Sequence, residues 1–231
     1  MNDRSSPTPP LPLRPPREEV ASRASTYFGL GYLTLTGVTQ SVALAVLAMR
    51  VEATYTHFGF VNWILVVNTF LLTVIIWNEY LILTVAYLWT PTVVDALIPF
   101  TLFALQVFVA HNVYPDQRAW LTALGAVFAA GTVAFAYGFF QAARHDADNR
   151  DMLRAIGVHQ SLTMVSTAVG CGLCWGAALL YEAAELGQAR AVIALAASLA
   201  VVVTVLRSIP YWKRVKAYAG LRPGRSDAAQ D

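Results

Sequence analysis

The two cysteines, Cys171 and Cys174 in the run VGCGLCWG, have the Cys-x-x-Cys spacing that can cycle between dithiol and disulfide. On an α-helix, residues three apart share a face, but their β-carbons stay about 5–6 Å apart, beyond the roughly 3.5–4.5 Å that a disulfide accepts. Beside Gly170, Gly172 and Gly176, the pair reads better as small packing residues. His57 and His111 fall near one end of their hydrophobic runs, and His145 and His159 flank a charged segment. His57 and His111 could meet across loops to bind a metal or sense pH, but solvated interfacial histidines are the simpler reading. The segment RHDADNRDMLR alternates sign, as a solvated loop does. Neither a P-loop nor HExxH or GxSxG motifs occur. The sequence therefore offers no catalytic residue, no metal site and no cofactor, and a membrane-embedded redox enzyme rests on the cysteines alone.

What must position these residues is set by composition. Of 231 residues, 57% are hydrophobic and 13% charged, with a mean hydropathy of +0.52, far more apolar than a soluble core of this size requires. The solvent is lipid, and a formal net charge of +2 gives no reason to expect nucleic acid. A helix crosses the hydrocarbon in about 20 apolar residues. Six intervals qualify: Tyr27 to Met49, a long second helix from near Gly59, Thr92 to Val113, Trp120 to Phe140, Gly157 to Tyr181 and Ala191 to Tyr211. The last is short, so Arg207 must snorkel to the headgroups beside Trp212 and Lys213.

The basic residues sort by loop. Arg4, Arg14, Arg17 and Arg23 precede the first span, Arg144, Arg150 and Arg154 lie between the fourth and fifth, and Arg207, Lys213, Arg214, Lys216, Arg222 and Arg225 close the chain. The opposite loops hold only Arg50, Arg118 and Arg190. The positive-inside rule then predicts an all-α, six-helix bundle in the cell (inner) membrane, with both termini cytoplasmic. Residues 1–22, rich in proline, are expected to be a disordered cytoplasmic tail, 23–217 the membrane domain, and 218–231 a flexible cytoplasmic tail. No cleaved leader is expected, because the first apolar run starts only near Tyr27 and lacks a small-residue cleavage site.

Polar residues inside spans carry the functional expectation, since lipid tolerates them only where they find partners or line water. Thr36 and Gln40 stack one turn apart on the first helix, with Ala43, Leu44 and Leu47 continuing that face and Thr39 and Ser41 flanking it. Such a face could line a narrow pore, or it could bond neighbouring helices and its own backbone. Asn62, Asn68, Thr73, Asn78 and Gln106 pose the same choice. The acidic residues nearest the spans, Glu79 and Asp95, are placed at the cytoplasmic interface, the latter near the positive end of a helix opened by Thr90 and Pro91. With no charge expected at mid-bilayer, a carrier built on a buried carboxylate is disfavoured. Small residues from Gly125 to Gly138, and those around Cys171, predict close approach of the fourth and fifth helices. The apolar run Tyr80 to Trp89 is expected to extend the second helix past the membrane, either packing on neighbours or offering Leu83 and Leu88 to a partner.

The run GYLTLTGVTQSVALAVLAMRVE, the long second helix LLTVIIWNEYLILTVAYLW and the following proline turn resemble the TMEM175-like potassium channels of prokaryotes in layout, over roughly residues 27–115. That resemblance implies six helices per subunit, a homo-oligomer, and a first helix lining the pore, with Thr36, Gln40, Leu44 and Leu47 as its lining. The family's Arg-x-x-x-Phe-Ser-Asp signature falls here on Gly31, Leu35, Thr36 and Gly37. A cation channel is thus the leading expectation. The alternative is a non-conducting scaffold or partner subunit of a membrane complex.

Overall fold

The computed structural model describes residues 17–87, 92–144, 146–183 and 187–218. Among the described residues, helices α1 (Arg17–Thr54), α2 (Phe60–Ala86), α3 (Val93–His111), α4 (Gln117–Arg144), α5 (Asp146–Ala183) and α6 (Gly187–Tyr218) follow one another, with a 3₁₀ turn at Tyr55–His57. Each holds a stretch long and apolar enough to cross a membrane. Several run past their hydropathy bounds. α1 starts at Arg17, inside the segment expected to be tail, and the alternating-charge segment is helical from Asp146 onward. Hydropathy marks only the hydrocarbon, whereas a helix continues wherever its backbone stays bonded and its side chains pack.

The helices alternate in direction. At one end Arg50 donates to the Tyr114 carbonyl from Nη2 at 2.6 Å and from Nε at 3.2 Å, and Asn62 Nδ2 donates to the Val113 carbonyl at 3.0 Å. Tyr181 donates to Gln117 Oε1 at 3.0 Å at the same end. These bonds fasten the α1–α2 turn and the start of α4 around the α3–α4 connection. The opposite end carries the start of α1 and the end of α6, and is called the terminal end below. It is built from Ile82, Ala86, Tyr87, Ala142, Met152, Ile156, Tyr211 and Val215. Most of the described part of the apolar run after Glu79 is therefore packed within the chain, with Val85 left exposed: α4, α5 and α6 lengthen alongside α2, with Leu83 against the same layer. Leu88, Trp89, Thr90 and Pro91 lie outside the described residues.

Polarity runs inward. Val67, Phe70 and Val74 are exposed on α2, while Asn68, Thr69 and Thr73 are buried, a distribution suited to lipid around the bundle. α4 and α5 pack closely through glycine. The Gly125 backbone lies under the Trp175 indole, whose Nε1 donates to the Thr122 carbonyl at 3.2 Å, and a Cβ on Gly170 would meet the Phe128 ring at 3.3 Å. Gly131, Gly172 and Gly176 leave open space instead, so only part of the small-residue stripe serves close approach. Cys174 is buried in the core, Cys171 is partly buried, and both are free thiols. Gly170→Leu is expected to cost about 2 kcal/mol through overpacking against Phe128, read as a lowered Tm in detergent; an unchanged Tm would show that the helices separate there without cost.

Candidate intramembrane site

The polar face of α1 turns into the chain's own bundle. Thr36 is fully buried, and Thr39, Gln40 and Leu47 nearly so. Leu44 is half-buried and, with Gln40, borders a groove between α1 and α2 completed by Thr73, Val74 and Trp77. Most of the neutral polar groups are satisfied locally. Thr36 donates to Leu33 O at 3.0 Å, Thr39 to Thr36 O at 2.9 Å, Thr69 to Leu65 O at 2.8 Å and Thr73 to Thr69 O at 3.0 Å. The Asn68 and Gln106 amide N–H groups bond carbonyls one turn back, at 2.8 and 3.2 Å, while Asn68 Oδ1 and Gln106 Oε1 are buried without a partner. Back-bonding of this kind removes the need for a water-filled lumen. Gln40 goes further, because neither its amide nitrogen nor its oxygen, both buried, has a hydrogen-bond partner.

Glu79 stands apart from these neutral groups. α2 continues seven residues beyond it to Ala86, about 10 Å of helix, so the carboxyl belongs to the interior of the helix and not to its end. It opens on a cavity of about 60 Å³ walled by α2 to α6, which reaches Leu102 and Phe128 near the middles of α3 and α4, Gly131 and Phe135 on α4, Thr167 on α5 and Thr204 on α6. Glu79 Oε2 is shut away from the surface and accepts no hydrogen bond. Counting 20 residues from Gly59 puts this residue at the cytoplasmic interface; the structure continues α2 past it and turns Oε2 into the bundle. A carboxylate in such surroundings is costly unless a cation is paired with it or the group holds a proton. Sequence reasoning dismissed a buried carboxylate, and the signal it passed over was the apolar run on both sides of Glu79.

Aromatic and amide groups join this cavity to the terminal end. Tyr80, which also lines the cavity, meets Tyr32 edge to face with ring centres 5.4 Å apart. Tyr87 donates to Gln160 Oε1 at 2.6 Å, and burial pushes its phenol above the ordinary value. His159 stacks obliquely near Tyr211 at 6.4 Å. The Tyr80 hydroxyl, His159 Nε2 and Gln160 Nε2 are buried and accept or donate no hydrogen bond.

Asp95 has a structural part. Thr92, not Thr90, precedes the first helical residue of α3, and its backbone N–H donates to Asp95 Oδ2 at 2.6 Å while its hydroxyl donates to the same oxygen at 2.8 Å. Gln141 Nε2 then donates to Tyr137, and Tyr137 to the Thr92 hydroxyl oxygen, each at 2.6 Å, which locks α3 to α4. The Thr-x-x-Asp spacing of a capping box is present in the sequence, and the proline at 91 drew the start of the helix two residues early. Asp95→Asn is expected to lower stability by about 1–2 kcal/mol, measured by thermal melting; no change would mean that the Thr92–Tyr137 bond alone holds the junction.

Arg207 donates to the Leu162 carbonyl at 2.8 Å, so its charge rests on the α5 backbone. Among the described residues no three His, Cys, Asp or Glu side chains gather as a metal site. His57 contacts Thr56 and Tyr114. No family model, no curated protein and no solved structure matches this chain.

Proposed function

We propose that the chain is a multi-pass protein of the cell (inner) membrane that lets a small cation cross, along a path through the interior of one chain with Glu79 facing the cation. The observation that carries this reading is the cavity between α2 and α6, onto which a carboxyl opens with one oxygen buried and unbonded. The path lies away from the α1 face that the channel resemblance would use, because Thr36, Gln40 and Leu47 are buried against the chain's own helices. The basic residues Arg144, Arg150, Arg154, Lys213 and Arg214 belong to the terminal end, which supports cytoplasmic termini. A scaffold drew its support from the apolar run after Glu79, most of whose described part is packed internally.

The test is cation flux into liposomes holding the purified chain. Wild-type protein should conduct or exchange potassium or sodium, and Glu79→Gln should lower the rate at least about tenfold, about 1.4 kcal/mol. Replacement of Leu44 by Ala, on the α1 groove, should leave the rate nearly unchanged. Liposomes that remain tight to every alkali cation would sink the reading; a large effect of Leu44→Ala with none of Glu79→Gln would move the path to α1.

A further inference from the structure

We propose that the groove between α3 and α4, at the end of the bundle away from the termini, seats one phospholipid whose headgroup carries a phosphate and a primary ammonium, as phosphatidylethanolamine does. The groove has a volume of about 430 Å³, within the roughly 300–1,000 Å³ of small-molecule sites, and it changes character along its length. Asp116 and Arg118 form a charged rim beside Asn112; below them Leu105 and Phe108 of α3 stand opposite Ala123 and Ala126 of α4. α3 closes at His111 and α4 opens at Gln117, so the rim lies where the two helices end. Seven residues separate Asn112 from Leu105, about 10 Å of helix, which carries the groove from headgroup depth into the hydrocarbon. The hollow arises from a difference in size: alanines on α4 adjoin larger side chains on α3, and the exposed Phe108 ring forms one wall.

Each charge of such a headgroup has a counterpart on the rim. Arg118 is exposed, and a guanidinium pairs with phosphate through parallel N–H donors. Asp116 is exposed as well and spends Oδ1 on the Ala119 N–H at 2.9 Å, which leaves Oδ2 to accept from an ammonium. The acid decides which lipid fits. A primary ammonium donates hydrogen bonds to a carboxylate. The quaternary group of phosphatidylcholine has no N–H to offer, and phosphatidylglycerol brings negative charge next to Asp116 with no cation to offset it. With the headgroup held at the rim, one acyl chain follows the apolar part between Phe108 and Ala126.

The experiment is native mass spectrometry of the purified full chain, stripped of lipid in detergent and offered equimolar phosphatidylethanolamine, phosphatidylcholine and phosphatidylglycerol with identical acyl chains. One phosphatidylethanolamine per chain is expected, retained at least about fivefold over either competitor. Asp116→Asn should erase the preference over phosphatidylcholine; asparagine caps a helix as well as aspartate does, so α4 keeps its start. Arg118→Gln should lower retention of all three lipids, and Ala126→Phe should lower it with both charges in place. Equal retention of the three lipids by the wild-type protein, a preference for phosphatidylglycerol, or a preference unchanged by both Asp116→Asn and Arg118→Gln in variants of normal helical content would each overturn the proposal. No residue lining the groove borders the Glu79 cavity. Glu79→Gln should therefore leave lipid retention as it is, and lipid retention and cation flux stand or fall separately.

Discussion

Gly131→Leu is expected to cut cation flux at least about 100-fold, equivalent to about 2.7 kcal/mol on the barrier, without lowering Tm. Gly131 borders the cavity that Glu79 enters, and a Cβ placed there meets no heavy atom within 4 Å. Two favourable effects accompany the first added carbon: a residue other than glycine in a helix interior gains up to about 1 kcal/mol, and filling an apolar void restores dispersion contacts. Against them stands an overpacking cost of about 1–3 kcal/mol if the full leucine outgrows the space. With about 60 Å³ available these effects come close to balance, so Gly131→Ala should raise Tm by a few degrees and Gly131→Leu should leave it near the wild-type value. The path, however, loses its void. Flux in liposomes beside thermal melting in detergent separates the two consequences. Unchanged flux in a stably folded Gly131→Leu protein would mean that cations do not pass this cavity. Gly170 supplies the opposite control, because there the Phe128 ring at 3.3 Å leaves no room.

The six spans were legible because lipid permits no other solution: an apolar run must close its backbone bonds within itself, and hydropathy reports that directly. The ends were not legible. Outside the hydrocarbon nothing in composition limits a helix, so α5 begins at Asp146 within a segment that reads as a solvated loop. Facing was hidden for a related reason. α1 is apolar on most sides, and its polar stripe of Thr36 and Gln40 could turn toward a pore or toward neighbours; only contact with α2 and α3 decides. Glu79 was visible as a residue, but its setting is made by Leu102, Phe128 and Thr204, drawn from three other helices. No spacing along α2 encodes that meeting. Asp95 is the contrary case, since its partner Thr92 stands three residues away and the motif is local.

Trp120→Ala is expected to destabilise the bundle by about 3 kcal/mol, and Trp120→Phe by about 1 kcal/mol. By position, a tryptophan near a helix end is a headgroup anchor, yet Trp120 is fully buried beside Leu65, Leu121 and Leu124. Its Nε1 donates to Thr69 Oγ1 at 3.0 Å, while Thr69 donates to Leu65 O at 2.8 Å. In a soluble core, deleting such a side chain costs about 3–5 kcal/mol, part of it the transfer of apolar surface into water. Lipid removes most of that part, because the separated helices meet hydrocarbon instead of water. The remainder is lost packing and the cavity left behind, which sets the estimate at the low end. Phenylalanine keeps much of the volume and loses the indole bond, a net loss of about 0.5–1.5 kcal/mol, softened because Thr69 retains its own bond to Leu65. Unfolding titrations in mixed micelles give both values. Equal losses for Ala and Phe would assign the stabilisation to the hydrogen bond, and a loss under about 1 kcal/mol for Ala would mean that α2 and α4 close over the vacancy, as helices free to slide in lipid can do where no glycine contact fixes their separation.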